Sequence, residues 1–448
     1  EQHEKRRVEA IEDILHITVY KLLRNDIKPY VIDHIHKYEI KSNETDDYFE
    51  LLEEKERIER EIEDKKDEIA DLMRELEEFG LKDANKCFHC GNCTAICPLS
   101  TEENPFPRKL VKYAQLGLEE KILQSAEPWL CYYCGDCSDR CPRGADPGET
   151  MMVMRRFLTS KYDWTGFARR FYTSETFEII AVAIVGILVG LALWIFHADN
   201  PNMEHAALNS VWPAPAIEIG DLIMAAILTF FLLSNTWRCV KFVMGDLLKK
   251  VPLEIYATEA KELIIHFITQ KRFGECTDRM QWIVHLLIMT GYSTAFLLVA
   301  VFLAGGIELV GLAWEPIRFQ RDVIYPFFHP MRIFGYYATF AILYGTTYAL
   351  IGRIKKSKAP YKSTHGTDWM FLILLQLTTL TGIFIHFCRL LDWAMATYVI
   401  YVIHLMFAIP MLVLEVPFSK WAHLAYRPVV IYLTRVKEKY YEMQKGTA

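Results

Sequence analysis

The pattern CxxCxxCxxxCP occurs twice in this 448-residue chain, at Cys87, Cys90, Cys93 and Cys97 and again at Cys131, Cys134, Cys137 and Cys141. Three thiolates at i, i+3 and i+6 wrap one [4Fe-4S] cluster from a tight loop, while the fourth, followed by proline, reaches a second cluster. The spacing therefore predicts two clusters that each draw on both motifs. Cys87, Cys90, Cys93 and Cys141 would hold the first, and Cys131, Cys134, Cys137 and Cys97 the second. A zinc site built from CxxC pairs leaves the third cysteine and the CP ending, each present twice, unexplained. A disulfide framework fits poorly with a long chain that shows no secretory signal at its start, so a reducing compartment is expected. Cys239, Cys276 and Cys388 show no ligand spacing and are expected to be buried or idle thiols.

Hydrophobic residues make up 52% of the chain and aromatics 13%, although the N-terminal third is heavily charged, so the apolar residues must be segregated. Six apolar stretches lie near 177–197, 219–243, 281–304, 331–353, 369–391 and 395–419. Each approaches the roughly twenty residues that a helix needs to cross hydrocarbon. The loop after the first, ADNPNMEHAALNSVWPAPAIEIG, contains no Lys or Arg. Those after the second and fourth, with KK, KR and GRIKKSKAPYK, are basic, as is the tail with RVKEK. The charge bias predicts a multi-pass protein of the cytoplasmic membrane, with both termini and the clusters on the cytoplasmic side. RRFLTSKYDWTGFARRF, basic and aromatic just before the first span, reads as a segment resting on that surface. A formal net charge of -6, without a basic stripe interleaved with aromatics, points away from nucleic acid.

Ionisable groups inside such spans are costly and need a reason. His285 falls near the cytoplasmic start of the third span and His423 at the inner end of the sixth; His386 and His404 fall near the outer ends of the fifth and sixth. Two histidines at each of two depths suit two bis-histidine b-type haems stacked across the bilayer. The separation from His404 to His423 corresponds to about 28 Å on a helix, which places the two in opposite leaflets. His329, beside Pro330, competes with His386 as the outer partner of His404. His266, in the amphipathic ELIIHFITQKRF, is expected at the membrane surface, ligating nothing. Glu415, inside the last span, is a candidate proton relay or quinone contact. The bland alternative for each of these groups is an interhelical hydrogen bond.

Upstream, residues 1–47 read as short helical stretches, with Ile11, Ile14, Leu15 and Val19 on one face and His34 and His36 solvated. From 48 to 80, Leu51, Ile58, Ile62, Ile69, Leu72 and Leu76 repeat with a period near 3.5, predicting a long amphipathic helix or coiled coil. Lys55 and Lys65 interrupt the seam, so docking on a partner or folding back competes with a zipper. Gly80 is the expected C-cap. In the cluster domain, 81–160, Leu110, Val111, Ala114 and Leu118 follow a helical period, so a helical ferredoxin is expected. The whole chain is expected to be all-α, with a six-helix membrane domain over 170–430 and a cytoplasmic tail over 431–448.

The stretches KCFHCGNCTAICPLS, NPFPRK and CYYCGDCSDRCPRGADPGE resemble the C subunits of heterodisulfide reductases, and most closely those of quinone-interacting membrane-bound oxidoreductases, which fuse a ferredoxin to a haem b membrane module. The membrane half, through WRCVKF, the His285 helix and HLMFAIPMLVLEVPFSKWAHLAYRP, is similar to the γ subunit of respiratory nitrate reductases. There the last helix carries one haem ligand at each end, which map onto His404 and His423. The chain departs from that pattern at Ala295, where the second ligand of the His285 helix would stand, and in the His404–His423 separation, one residue longer; Pro410 and Pro417 between them could kink the helix and restore the facing.

These readings converge on an electron-transfer subunit that passes electrons between cytoplasmic flavin or iron-sulfur subunits and a membrane carrier, a quinone or a methanophenazine-type partner. The resemblance implies menaquinone and soluble partners similar to the A and B subunits of heterodisulfide reductase. No nucleotide-binding glycine loop is evident, so flavin and nicotinamide sites are assigned to other chains. Two alternatives stand beside this. One is an anchor whose helices dock a soluble reductase and whose haem sites are vestigial. The other, a redox-driven transporter, lacks the inverted repeat and paired broken helices expected of one.

Overall fold

The computed structural model describes residues 45–102, 104–276, 278–300 and 325–446. The expected helices before residue 45, with His34 and His36, lie outside the described residues, as does the far end of the third span. Every regular element among the described residues is a helix, so the all-α reading holds. The longer helices are numbered here α1 (Thr45–Glu78), α2 (Arg108–Gln115), α3 (Pro147–Tyr162), α4 (Phe167–Thr173), α5 (Glu175–Ile195), α6 (Ala214–Met244), α7 (Leu253–Thr269), α8 (Arg279–Ala300), α9 (Pro330–Lys355), α10 (Gly366–Leu390), α11 (Ala394–Pro410) and α12 (His423–Gly446).

The long helix α1 is held along its surface by ion pairs three residues apart, such as Arg57–Glu54 at 2.6 Å and Lys66–Glu63 at 2.7 Å. Its expected seam is only half used. Leu72 and Leu76 are buried against the cluster domain, whereas Leu51 and Ile62 stay exposed. Gly80, at φ +98°, ends the helix: its amide donates to Glu77 O and that of Leu81 to Leu76 O, the paired bonds of a Schellman cap. Gly117 lets α1 come close, because a Cβ there would meet Ile69 Cγ1 at 2.9 Å.

Among the described residues five helices are long and apolar enough to cross a membrane: Glu175–Ile195, Pro215–Met244, Arg279–Val299, Gly366–Leu390 and Ala394–Phe418. The fourth expected span is a continuous helix of 26 residues, α9, but its tyrosines, threonines and terminal basic residues leave it less apolar than the rest. It packs lengthwise on α8 through small residues: a Cβ on Gly291 would meet Ile342 Cγ1 at 2.8 Å and Ala338 O at 3.2 Å. Lipid tails supply no hydrophobic drive between helices, so close backbone approach of this kind is what holds such a pair together.

The last span is not one regular helix. It runs α-helically to Pro410, changes to a π-helical turn over Met411–Glu415, resumes for Val416–Phe418 and breaks at Ser419 before α12 begins at His423. Pro410 and Pro417 each lack the amide that the α-helical ladder needs, and the wider turn absorbs the mismatch. The kink expected between His404 and His423 is therefore a π turn followed by a break.

One buried core joins the cysteine-rich segment to the bundle. Leu76, Phe79, Trp129, Phe157 and Tyr162 pack in the same cluster as Cys239 and Val243 of α6 and Tyr426, Val430 and Leu433 of α12. Trp129, Tyr162 and Tyr426 form its aromatic centre, with ring centroids 5.2 to 6.1 Å apart.

Candidate functional site

The two cysteine loops have the same backbone. In the first, His89 (φ +61°) and Gly91 (φ +83°) are left-handed; in the second, Tyr133 (φ +56°) and Gly135 (φ +93°) occupy the corresponding places. Two left-handed residues in five curl the chain so that three side chains point to one side, and a short helix then carries the fourth cysteine away, as Asn92–Ile96 does for Cys97. The result is two separate cavities. Cys87, Cys90, Cys93 and Cys141 line one, and Cys97, Cys131, Cys134 and Cys137 line the other. Among the described residues no three His, Cys, Asp or Glu groups close on a point as the ligands of a single ion do. The sulfurs instead surround open space, which suits a cluster better than a lone metal.

Burial pushes the thiols up: Cys97 to about 12, with Cys87, Cys93 and Cys131 also raised. A buried thiolate needs a nearby cation, and bound iron would supply it, since a coordinating thiol is deprotonated outright.

Cys276 is buried, as expected, but it lies beside Cys134 and lines the second cavity, which therefore has five cysteines on its wall. No spacing signal could have found it, because it arrives from the loop after α7, far along the chain.

The second cavity faces the membrane bundle. A Cβ on Gly135 would meet Ala359 Cβ and Pro360 Cδ, both at 2.9 Å, so the basic loop after α9 lies directly on this cysteine loop. Ser363 Oγ donates to Asp146 Oδ2 at 3.0 Å, and Asp146 caps α3 by accepting from the Glu149 amide at 3.2 Å. Tyr132, next to Cys131, stacks on Phe273 with centroids 4.8 Å apart, and Phe273 meets His285 edge-on at 5.6 Å. The first cavity lies farther out, with Cys90 and Phe88 exposed.

His285 of α8 and His423 at the start of α12 come together, ring centroids 6.1 Å apart. Both line a cavity of about 1380 Å³, open volume included. Each ring is fixed by its Nδ1: His285 donates to Gln270 Oε1 at 2.8 Å, and His423 to Lys420 O. Holding one ring nitrogen on an oxygen while the other stays free is how metal-ligating histidines are oriented. Arg155 and Arg427 approach the same space. Arg155 is bonded to the carbonyls of Pro128 and Cys131, and Arg427 lies 3.8 Å over the Tyr132 ring with its buried Nη2 lacking a hydrogen-bond partner. Two guanidiniums side by side without a carboxylate favour an anionic guest. Lys420 and Asp368 also line the cavity but pair with each other.

The outer histidines are placed differently. His386 Nε2 is hydrogen-bonded to Tyr336 Oη at 2.8 Å, His404 Nδ1 to Thr381 Oγ1 at 2.9 Å, and His329 stacks on Tyr325 at 4.3 Å. The structure does not join them as it joins His285 and His423. His266 is buried, 3.3 Å from Glu262, and lines a smaller cavity that also touches His285 and His423. It therefore lies closer to that pair than the expected surface position.

Residues 83–145 match the model of the 4Fe-4S dicluster domain, which supports iron-sulfur clusters in this segment. The chain is similar to a protein of Archaeoglobus profundus described as like the C subunit of heterodisulfide reductase, 34% identical over 108 residues, which is 24% of this chain and 54% of the relative. It is also similar to the iron-sulfur C subunit of the CoB–CoM heterodisulfide reductase of Methanopyrus kandleri, 29% identical over 96 residues, covering 21% and 50%. The chain spans about half the length of the curated relatives it matches. No solved structure matches it. The likeness supports an iron-sulfur electron-transfer protein, here joined, among the described residues, to five helices long and apolar enough to span a membrane.

Proposed function

We propose that this chain is the membrane electron-transfer subunit of an oxidoreductase complex, linking cytoplasmic flavin or iron-sulfur subunits to the quinone pool through two [4Fe-4S] clusters and a b-type haem held by His285 and His423. The observation that carries this reading is the contact chain Cys131–Tyr132–Phe273–His285–His423, which brings the second cysteine cavity against the histidine cavity. When bound, the clusters and haem supply one-electron carriers at successive points of that chain. The protein's own residues position them. Cysteines from both loops fix the clusters, Gln270 and the Lys420 carbonyl set the histidine rings, and Arg155 and Arg427 offer cationic partners for haem carboxylates.

The exposed Cys87–Cys93 loop is the entry for a soluble partner, and heterodisulfide reductase subunits are the class that the similar proteins suggest. At the membrane end the reaction is quinone + 2 e⁻ + 2 H⁺ ⇌ quinol, with menaquinone as the quinone that the family resemblance favours and Glu415 as a proton-handling group. The basic loop packed on the cluster domain supports a cytoplasmic placement of the clusters. A second haem at His404 with His386 or His329 would have to replace the present hydroxyl and ring partners.

Reduced-minus-oxidised absorption spectra of the purified membrane protein test this. Bands of b-type haem are expected, and His285→Leu or His423→Leu should abolish them while the iron-sulfur signals persist. Bands retained in both variants would refute the inner pair. Intact clusters with no b-type bands in the unmodified protein would favour the anchor reading.

A further inference from the structure

Glu178 in the first turn of α5 and Glu415 at the end of the π turn are each 1% exposed, and they face one another at the cluster end of the bundle. Neither Glu415 carboxyl oxygen has a hydrogen bond by geometry, and the buried Ser419 hydroxyl donates to Glu178 Oε1 at 3.4 Å. Two carboxylates cannot both stay ionised in so dry a place, because each is desolvated and each repels the other. Glu415 is the last residue of the π turn, and such turns inside helices concentrate at functional sites.

Tyr172 of α4 lies within electrostatic reach of both carboxyls and lines the cavity of His285 and His423, which ties the pair to the redox site. The other ionisable groups around the pair are Glu175 on the same helix, Arg156 of α3 beyond Tyr172, and His365, 6.1 Å from the Tyr172 ring.

We propose that Glu178 and Glu415 form a redox-linked proton site: the pair binds one proton when an electron arrives at the centre held by His285 and His423, and releases it when the electron leaves. The step balances, one proton for one electron, and the electron comes from the clusters or from quinol. A negative charge added to the cavity is neutralised locally instead of being buried unpaired. The inference rests on the haem reading of the histidine pair.

The test uses the full chain in lipid nanodiscs and follows the haem midpoint potential against pH. With one proton per electron the potential falls by about 59 mV for each tenfold drop in proton concentration. Glu178→Gln and Glu415→Gln should each flatten this slope while b-type bands and iron content persist. Infrared redox-difference spectra should show a carboxylic C=O signal that both substitutions remove. A pH-independent potential, or a slope and C=O signal that survive both substitutions, overturns the proposal and leaves the haem reading standing. If the unmodified protein has no haem, that reading fails, and infrared pH-difference spectra decide the pair: a C=O signal at neutral pH lost in both variants supports it, and none overturns it. Should a glutamine variant fail to fold, ¹³C-glutamate labelling of the unmodified protein reads the same signal.

Discussion

Replacing Cys97 separates crossed from uncrossed ligation more sharply than any other change. Cys97 belongs to the first motif in sequence but to the wall of the second cavity in space. Cys276 lines that same cavity and could take its place, so the substitution is made as Cys97→Ala in a Cys276→Ala background. Each cavity has four motif sulfurs, so two full clusters hold about eight iron atoms per chain, and removing one site leaves about four. The expected survivor is the outer cluster, lined by Cys87, Cys90, Cys93 and Cys141. Because the lost one adjoins Tyr132 and Phe273, a soluble reductant should still reduce the remaining cluster but pass electrons to the histidine site far more slowly. Cys141→Ala should give the mirror result, with iron again halved but the inner cluster retained. Iron analysis, electron paramagnetic resonance and stopped-flow haem absorbance read all three quantities. Loss of the outer cluster in the Cys97 variant, with the inner one intact, would refute the crossed arrangement.

Cys276→Ala alone should keep both clusters and lower the potential of the inner one, since a thiol donor beside a cluster sulfur favours the reduced form; a redox titration with iron analysis checks this, and halved iron would contradict it. Asp146→Ala removes the cap of α3 and the tie to Ser363, and should cost on the order of 1 kcal/mol, seen as a lower unfolding midpoint with faster cluster loss. Gly291→Val forces a side chain into Ile342 and the Ala338 carbonyl and should destabilise the α8–α9 pair by about 1–3 kcal/mol in a thermal melt in detergent. At the opposite end of the bundle, Asp392 accepts from His205 at 2.6 Å, which raises the histidine and lowers the carboxyl. The raised histidine contributes fully below its unfolded value and loses the contribution as pH rises through its folded one. The lowered carboxyl contributes above its unfolded value and loses it as pH falls through its folded one. Protection of the Ala206 amide, whose hydrogen bond Asp392 accepts at 2.7 Å, measured against its intrinsic exchange rate at each pH, should therefore be greatest between those limits and fall on either side.

The iron-sulfur loops were legible because their chemistry is local: spacing and the two glycines set the curl before any tertiary contact forms. His285 and His423 were legible for a different reason, since an ionisable group in an apolar run announces itself. Cys276 and Glu178 were not. Cys276 has no local pattern, and Glu178 stands where a charged residue flanking a span would be expected; only the π turn at Glu415 makes it a buried partner. The fourth span shows the opposite limit, where an apolar stretch of spanning length suggested a crossing that its tyrosines and threonines weaken. The seam of α1 predicted a helix correctly but not its use, because periodicity does not say how much of an apolar stripe finds a surface.

The shared core that runs from Leu76 through Trp129 and Tyr162 to Tyr426 leaves the ferredoxin no hinge on which to swing. Many electron carriers work as messengers, and their rates depend on collision, viscosity and salt. On the proposed function this one is bolted to its receiver, with the gap between inner cysteines and histidine pair set by stacked rings. The handover at the exposed Cys90 face would then be the encounter step, and that step should respond to ionic strength and viscosity.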